Sequence, residues 1–130
     1  MKLYLVFRFG LLLFLLTILA ACGQKKDVAG KTVEAYLQAL VSGDSDRMVT
    51  LSCSDYEKEA MLEFDSFQGV KPSLENVVCK QTGSDGNLIL VKCEGKILAT
   101  YGNEVQEFDL SNQTYKVAQE SQEWLVCGRE

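Results

Sequence analysis

The chain has 130 residues, with 13 basic side chains against 18 acidic ones, five cysteines, one proline and no histidine. That length holds one small domain once any targeting segment is set aside. The lack of histidine removes the side chain best suited to proton transfer near neutral pH, and with it Ser-His and Cys-His nucleophile pairs. The acidic balance repels phosphate backbones and offers no basic stripe, which argues against nucleic-acid binding.

The N-terminus carries its own signal. Lys2 and Arg8 supply a positive start, Leu11 to Leu19 form an apolar core broken only by Thr17, and Ala20 and Ala21 lead to Cys22. This is the layout of an export signal. Its ending, LAAC, resembles the lipobox of bacterial lipoproteins. That resemblance implies a signal peptide over residues 1–21, removed so that Cys22 becomes the mature N-terminus. It also implies a diacylglycerol on the Cys22 thiol, acyl chains such as palmitate, and anchorage on the extracytoplasmic side of the cell membrane. The rival reading is an uncleaved anchor, because Leu3 to Ala21 nearly reaches the roughly 20 residues that span a bilayer. Arg8 weighs against it, since a charge within hydrocarbon is costly. Both readings put the domain outside the cytoplasm.

Removing Lys2 and Arg8 leaves 11 basic against 18 acidic side chains, a formal net charge of −7. Anionic lipid headgroups repel such a domain, so attachment rests on the acyl chains. Residues 22–31 are small, polar and charged, which reads as a flexible tether ahead of a domain over residues 32–130.

From Thr32 onward Val33, Tyr36, Leu37, Leu40 and Val41 recur at helical spacing, with Thr32 placed to cap the start and Gly43 to end it. DSDRMVTLSC reads as a second short helix with Met48, Val49 and Leu51 inward. Ser54 and Glu57 fit a capping box for a third helix, whose buried side takes Tyr56, Ala60, Met61, Phe64 and Phe67 and which stops near Gly69. Pro72 marks a change of regime, and beyond it the period becomes two. LENVVCKQT, NLILVKCEGKILATY, EVQEFDL taken together with TYKVA, and EWLVCG read as four strands of an antiparallel meander. In the long second strand Ile89, Val91, Cys93, Ile97, Ala99 and Tyr101 share one face. Val105 and Phe108 fall on opposite parities, which predicts a bulge or a bend near Glu107. Helices first and strands afterwards make an α+β domain, with the helices packed on a curved four-stranded sheet.

Cys53, Cys79, Cys93 and Cys127 form an even set in an exported domain, which favours two disulfides. A four-cysteine zinc site is the alternative, but no C-x-x-C pair is present. Buried free thiols are another. Three pairings are possible. Cys79 faces Cys93 across the GSDGN turn if the loop holds an odd number of residues, Asp85 to Asn87. Cys53 then reaches Cys127 in the last strand. A Cys93–Cys127 link has to cross an intervening strand, about 9 to 10 Å, beyond disulfide reach.

The order of elements, from VEAYLQALVSGDSDRMVTLSC to YKVAQESQEWLVCG, resembles the nuclear-transport-factor-2-like (cystatin-like) superfamily over Lys31 to Gly128. That resemblance implies a curved sheet wrapped around the helices with a cavity between them, which Tyr36, Tyr56, Phe64, Tyr101, Tyr115 and Trp124 are placed to line. The competing reading makes these six plain core aromatics. The superfold hosts enzymes and binding modules alike. One expectation is a non-enzymatic, lipid-anchored cell-envelope protein that binds a protein partner or a small apolar ligand. No catalytic, cofactor or metal site is expected in it, and a homodimer through Leu88, Leu90 and Leu98 on the outer sheet face is compatible. The alternative is a small cavity enzyme of the ketosteroid-isomerase-like type, using a carboxylate and a Tyr. Asp55, Asp65 and Asp109 are its candidates, though no motif ties any of them to a pocket. Asp44 to Asp46 lacks the remainder of a calcium loop and reads as helix capping, and the Asn112 sequon reads as a turn.

Overall fold

The structure is a computed structural model that describes residues 27–130. The signal segment, Cys22 and the two lysines after it lie outside the described residues. Three helices come first, α1 (Val28–Ser42), α2 (Ser45–Thr50) and α3 (Glu57–Ser66). Five strands follow, β1 (Lys71–Asp85), β2 (Leu88–Tyr101), β3 (Glu104–Asp109), β4 (Thr114–Glu120) and β5 (Glu123–Arg129). They make one antiparallel sheet in the order β1-β2-β4-β5, with β3 also on β2. The α+β expectation holds. Among the described residues no helix is long and apolar enough to cross a membrane.

The helix ends follow local chemistry. Gly43 takes the left-handed conformation at φ 73° that closes α1, and Asp44 caps α2 by accepting from the Arg47 amide at 2.9 Å. Two starts differ from expectation. α1 begins at Val28, inside the stretch expected to be tether, because Asp27 rather than Thr32 is its cap. The Asp27 carboxylate accepts from Gly30 N at 2.7 Å and from Gln81 N at 2.8 Å, so it is tied to the sheet as well as to the helix. Thr32 is an interior residue whose hydroxyl donates to the Val28 carbonyl. The capping box at Ser54 and Glu57 does not form. Instead the Cys53 carbonyl accepts from the amides of Tyr56 and Glu57, and Tyr56 is pulled into the core.

The sheet has five strands where four were expected. The β2 edge away from β1 is shared, its first half pairing with β4 through Ile89 to Lys92 and its second half with β3 through Lys96 to Tyr101. A turn over Leu110 to Gln113 breaks EVQEFDL from TYKVA, so these are two strands, and Asn112 sits exposed in that turn. The change of partner falls at a kink. Gly95 has φ 92°, and a Cβ there would lie 2.5 Å from the Asn76 carbonyl oxygen on β1. Asn76 is itself left-handed, within a register shift between Glu75 and Val78. The bend of this long hairpin therefore needs a glycine at position 95. No bulge occurs at Glu107, because the β2–β3 register runs without a shift and every β3 residue is exposed. With no face of β3 fully covered, Val105 and Phe108 can point to opposite sides.

The core lies between the helices and the inner sheet face, where Val33, Tyr36, Leu37 and Leu40 meet Val91, Cys93, Ile97, Tyr115, Val117 and Val126. Two disulfides staple it, Cys79–Cys93 and Cys53–Cys127. Cys79 stands directly opposite Cys93, although the β1–β2 turn holds only Gly86 and Asn87, an even number. The extra residue that restores the register is Thr82, between Gln81 paired to Val91 and Gly83 paired to Leu90. Cys53 follows a short parallel bridge of Ser52 to Val126, and its amide donates to the Val126 carbonyl at 2.8 Å. On the outer face Leu88, Leu90 and Leu98 are half-buried, and Lys96 pairs there with Glu75 and Glu107.

Candidate functional site

A cavity of about 290 Å³ opens between α3 and the sheet where β2 turns from β4 to β3. Ile97 and Tyr101 come from β2, Phe108 from β3, Leu110 and Gln113 from the turn after it, Glu63, Ser66 and Phe67 from the end of α3, and Arg129 from β5. Phe67 and Phe108 meet edge to face, with ring centroids 5.5 Å apart, and form one wall. The cavity is partly open to solvent.

Its floor is a charged cluster. Glu63 is only 8% exposed, on the helical stripe that also carries Ala60 and Phe64. One carboxylate oxygen accepts from the Tyr36 hydroxyl of α1 at 2.7 Å, and the other accepts from the Arg129 guanidinium. Burial pushes the Glu63 carboxyl above its usual range, and the Arg129 charge and the Tyr36 hydrogen bond pull against it. The net direction is upward. Burial and the nearby Glu63 charge also drive the Tyr36 hydroxyl far above the ordinary tyrosine range, and Tyr115 moves the same way. Burial is the largest influence on Arg129 and disfavours its charge, but Glu63 together with Tyr115, Tyr56 and Tyr36 outweighs it, so the net shift is upward and the guanidinium stays charged. Among the described residues no buried side-chain polar atom lacks a partner.

The residues expected to line a cavity divide unevenly. Tyr101 lines it. Tyr36, Tyr56, Phe64 and Tyr115 are buried core instead, with Tyr36 and Tyr115 edge to face at 6.4 Å. Trp124 is half-buried against the core. The cause is the kink, which moves the open space beyond Tyr115 toward the second half of β2. Asp55, Asp65 and Asp109 are exposed, none of them lining this cavity. Glu63 and Arg129 are the functional residues that sequence reasoning missed. Glu63 was detectable as a charge inside the apolar series Tyr56, Ala60, Phe64 and Phe67, at positions i+3 and i−4 to Ala60 and Phe67. Arg129 carried the parity of Cys127, two residues before it.

Among the described residues the one close grouping of metal-type ligands is Cys53, Glu120 and Cys127. Its two sulfurs are joined in the disulfide and offer no thiolate. The two disulfides mark an extracytoplasmic domain, formed where the compartment is oxidising.

No protein-family model matches the chain, and no curated protein matches it. Solved structures do. Bd1075 of Bdellovibrio bacteriovorus is similar over 77% of this chain and 37% of its own, with a TM-score of 0.50 and 14% identity. Pgp2 of Campylobacter jejuni, a helical cell shape determining protein, is similar over 76% of this chain and 38% of its own, with a TM-score of 0.50 and 10% identity. This chain thus spans well under half the length of either. A protein of unknown function with a cystatin-like fold from Nostoc punctiforme aligns at a TM-score of 0.46 and 11% identity, over 76% of this chain and 83% of its own. At these identities the likeness to the first two is one of fold alone, an α+β domain with helices on one side of a bent antiparallel sheet.

Proposed function

We propose that this protein is a lipid-anchored, non-enzymatic binding module of the cell envelope, with the cavity beneath α3 as its ligand site. The observation that carries the reading is the composition of that cavity. Phe67, Phe108, Ile97, Leu110 and Tyr101 give it apolar walls, and Glu63, Gln113 and Arg129 give it a small polar end. This is the make-up of a small-molecule site, at the lower limit of usual size. The finer fold assignment, nuclear-transport-factor-2-like, belongs to the same proposal and is favoured by the bent hairpin and the cavity beside it. The LAAC motif and the two disulfides support export with an acyl anchor on Cys22. Asp27 lies five positions after Cys22, a reach of at most about 18 Å when extended, so the anchor holds the domain against the bilayer surface.

Native mass spectrometry of protein released from membranes tests the cavity. A bound mass in the wild type, lost in Phe108→Ala, supports the reading. An empty cavity in every preparation, with no small molecule binding on titration, overturns it. For the anchor, labelled palmitate is incorporated by the wild type and not by Cys22→Ser.

The contact between Glu63 and Tyr36 favours a second reading, the proton-transferring enzyme, because a buried carboxyl of raised pKa beside a tyrosine suits general base work. Against it, both Glu63 oxygens are already engaged, one of them by a cation. Deuterium exchange at the α-carbon of a bound ketone, dependent on Glu63, is the result that selects the enzyme.

A further inference from the structure

The polar end of the cavity is one-sided in its hydrogen bonding. Glu63 is the only carboxylate among the lining residues, and its two oxygens already accept from Tyr36 and Arg129. The Gln113 amide oxygen accepts from the Tyr115 hydroxyl at 3.2 Å. The Ser66 hydroxyl donates back to the Glu63 carbonyl at 2.6 Å. What remains on offer is a set of donors. Gln113 keeps its NH₂ group, and Arg129, with five N–H donors and no acceptor, directs one side of its fork at Glu63.

The two members of the ion pair are also unequally placed. The Glu63 side chain is 5% exposed and that of Arg129 is 33% exposed. An entering molecule therefore meets the cation first, held in place from behind by the carboxylate. The pair is neutral as a whole, but at the cavity surface it presents a positive, planar, multiply donating group between aromatic walls. Such a group matches a carboxylate.

We infer that the cavity is selective for small organic acids, its Arg129 and Gln113 donors receiving a carboxylate and its Phe67 and Phe108 wall receiving an apolar body. This rests on the reading of the cavity as a ligand site and names the chemistry of the ligand. Size limits it further. At about 30 Å³ per water-sized volume, 290 Å³ holds a body of about ten non-hydrogen atoms. An aryl acetic acid is of that size, and a long fatty acid is not.

The test uses the full chain with its disulfides intact and titrates phenylacetate and its neutral isostere phenylacetamide at pH 7. Phenylacetate is expected to bind about tenfold more tightly than the amide. Gln113→Glu keeps an acceptor for Tyr115 but replaces the donors with a charge, so it removes that preference by weakening phenylacetate alone. Phe108→Ala weakens both probes. Wild-type near-ultraviolet circular dichroism in each variant secures the fold. Equal binding of the two probes, both weakened by Phe108→Ala, leaves the cavity as a ligand site and overturns the acid selectivity. Failure of both probes to bind, or phenylacetate binding indifferent to both substitutions, overturns the inference; the first of these also counts against the cavity as a site.

Discussion

Arg129 gives the sharpest test of how the floor of the cavity is held together. Arg129→Met leaves the Glu63 carboxylate almost wholly buried with only the Tyr36 hydroxyl as partner. Breaking a buried ion pair on one side costs about 3 to 5 kcal/mol, because the remaining charge is uncompensated. One third of the Arg129 side chain is exposed, so water screens part of this, and a value near 3 kcal/mol is expected. Adding Glu63→Gln removes the stranded charge while keeping an acceptor for Tyr36. The double variant should therefore recover about 2 kcal/mol of the loss. Urea unfolding followed by Trp124 fluorescence measures all three variants, since the chain has a single tryptophan. The cost in Arg129→Met should also depend on pH. Burial already raises the Glu63 carboxyl above its unfolded value, and losing the cation raises it further. Between the unfolded and folded pKa the native state binds more protons than the unfolded one. Stability of this variant is thus greatest in acid and falls as pH rises through the folded pKa, by up to about 1.4 kcal/mol per pH unit. Single-variant costs that simply add in the double, together with a flat pH profile, would refute the reasoning.

Three further outcomes are expected. In the chain-entropy account, Cys53–Cys127, with a sequence separation of 74, adds about 1.5 kcal/mol more than Cys79–Cys93, with a separation of 14. Paired Cys→Ala variants compared by urea midpoint check the order. Gly95→Ala places a Cβ 2.5 Å from the Asn76 oxygen at a positive φ, and should cost about 2 kcal/mol or more, whereas Gly86→Ala, with open space around it, should cost about 1 kcal/mol. Thermal unfolding separates the two. Asp27→Ala removes the α1 cap and the bond to Gln81 and should cost about 1 to 2 kcal/mol, with hydrogen exchange quickened at Gln81.

What was legible in the sequence was mostly local. Gly43 and Asp44 mark a helix end and the next start through their own backbone and side-chain chemistry, and Pro72 marks the passage from helices to strands. The inner face of β2 could be read from its alternation. Strand count was only partly legible: the turn at Asn112 between β3 and β4 could be read locally, but β2 changing partners at Gly95, which makes them two separate strands, leaves no local sign. The β1–β2 turn shows the same difficulty. An odd loop was the simplest way to set Cys79 against Cys93, yet the chain uses an even turn and a compensating residue at Thr82. The cavity moved for a related reason. Aromatic side chains identify volume to be filled, and most of these fill the core, while the open space is set by the bend. The Glu63 cluster needed three elements brought together, from α1, α3 and β5, and only its buried position on α3 left a trace in the pattern.

The outer edge of β1 has a consequence for life in a crowded layer. A bare edge strand is a template on which a second chain can add, and the proposed lipid anchor, by confining copies to one surface, would multiply such encounters. Here two amides on that edge are already taken, Gln81 N by the Asp27 carboxylate and Cys79 N by the Glu34 carboxylate at 3.0 Å. Helix α1 thus guards the strand with negative charge as well as with bulk. Neutralising both carboxylates would free these two amides and leave the edge of β1 open to strand-on-strand addition.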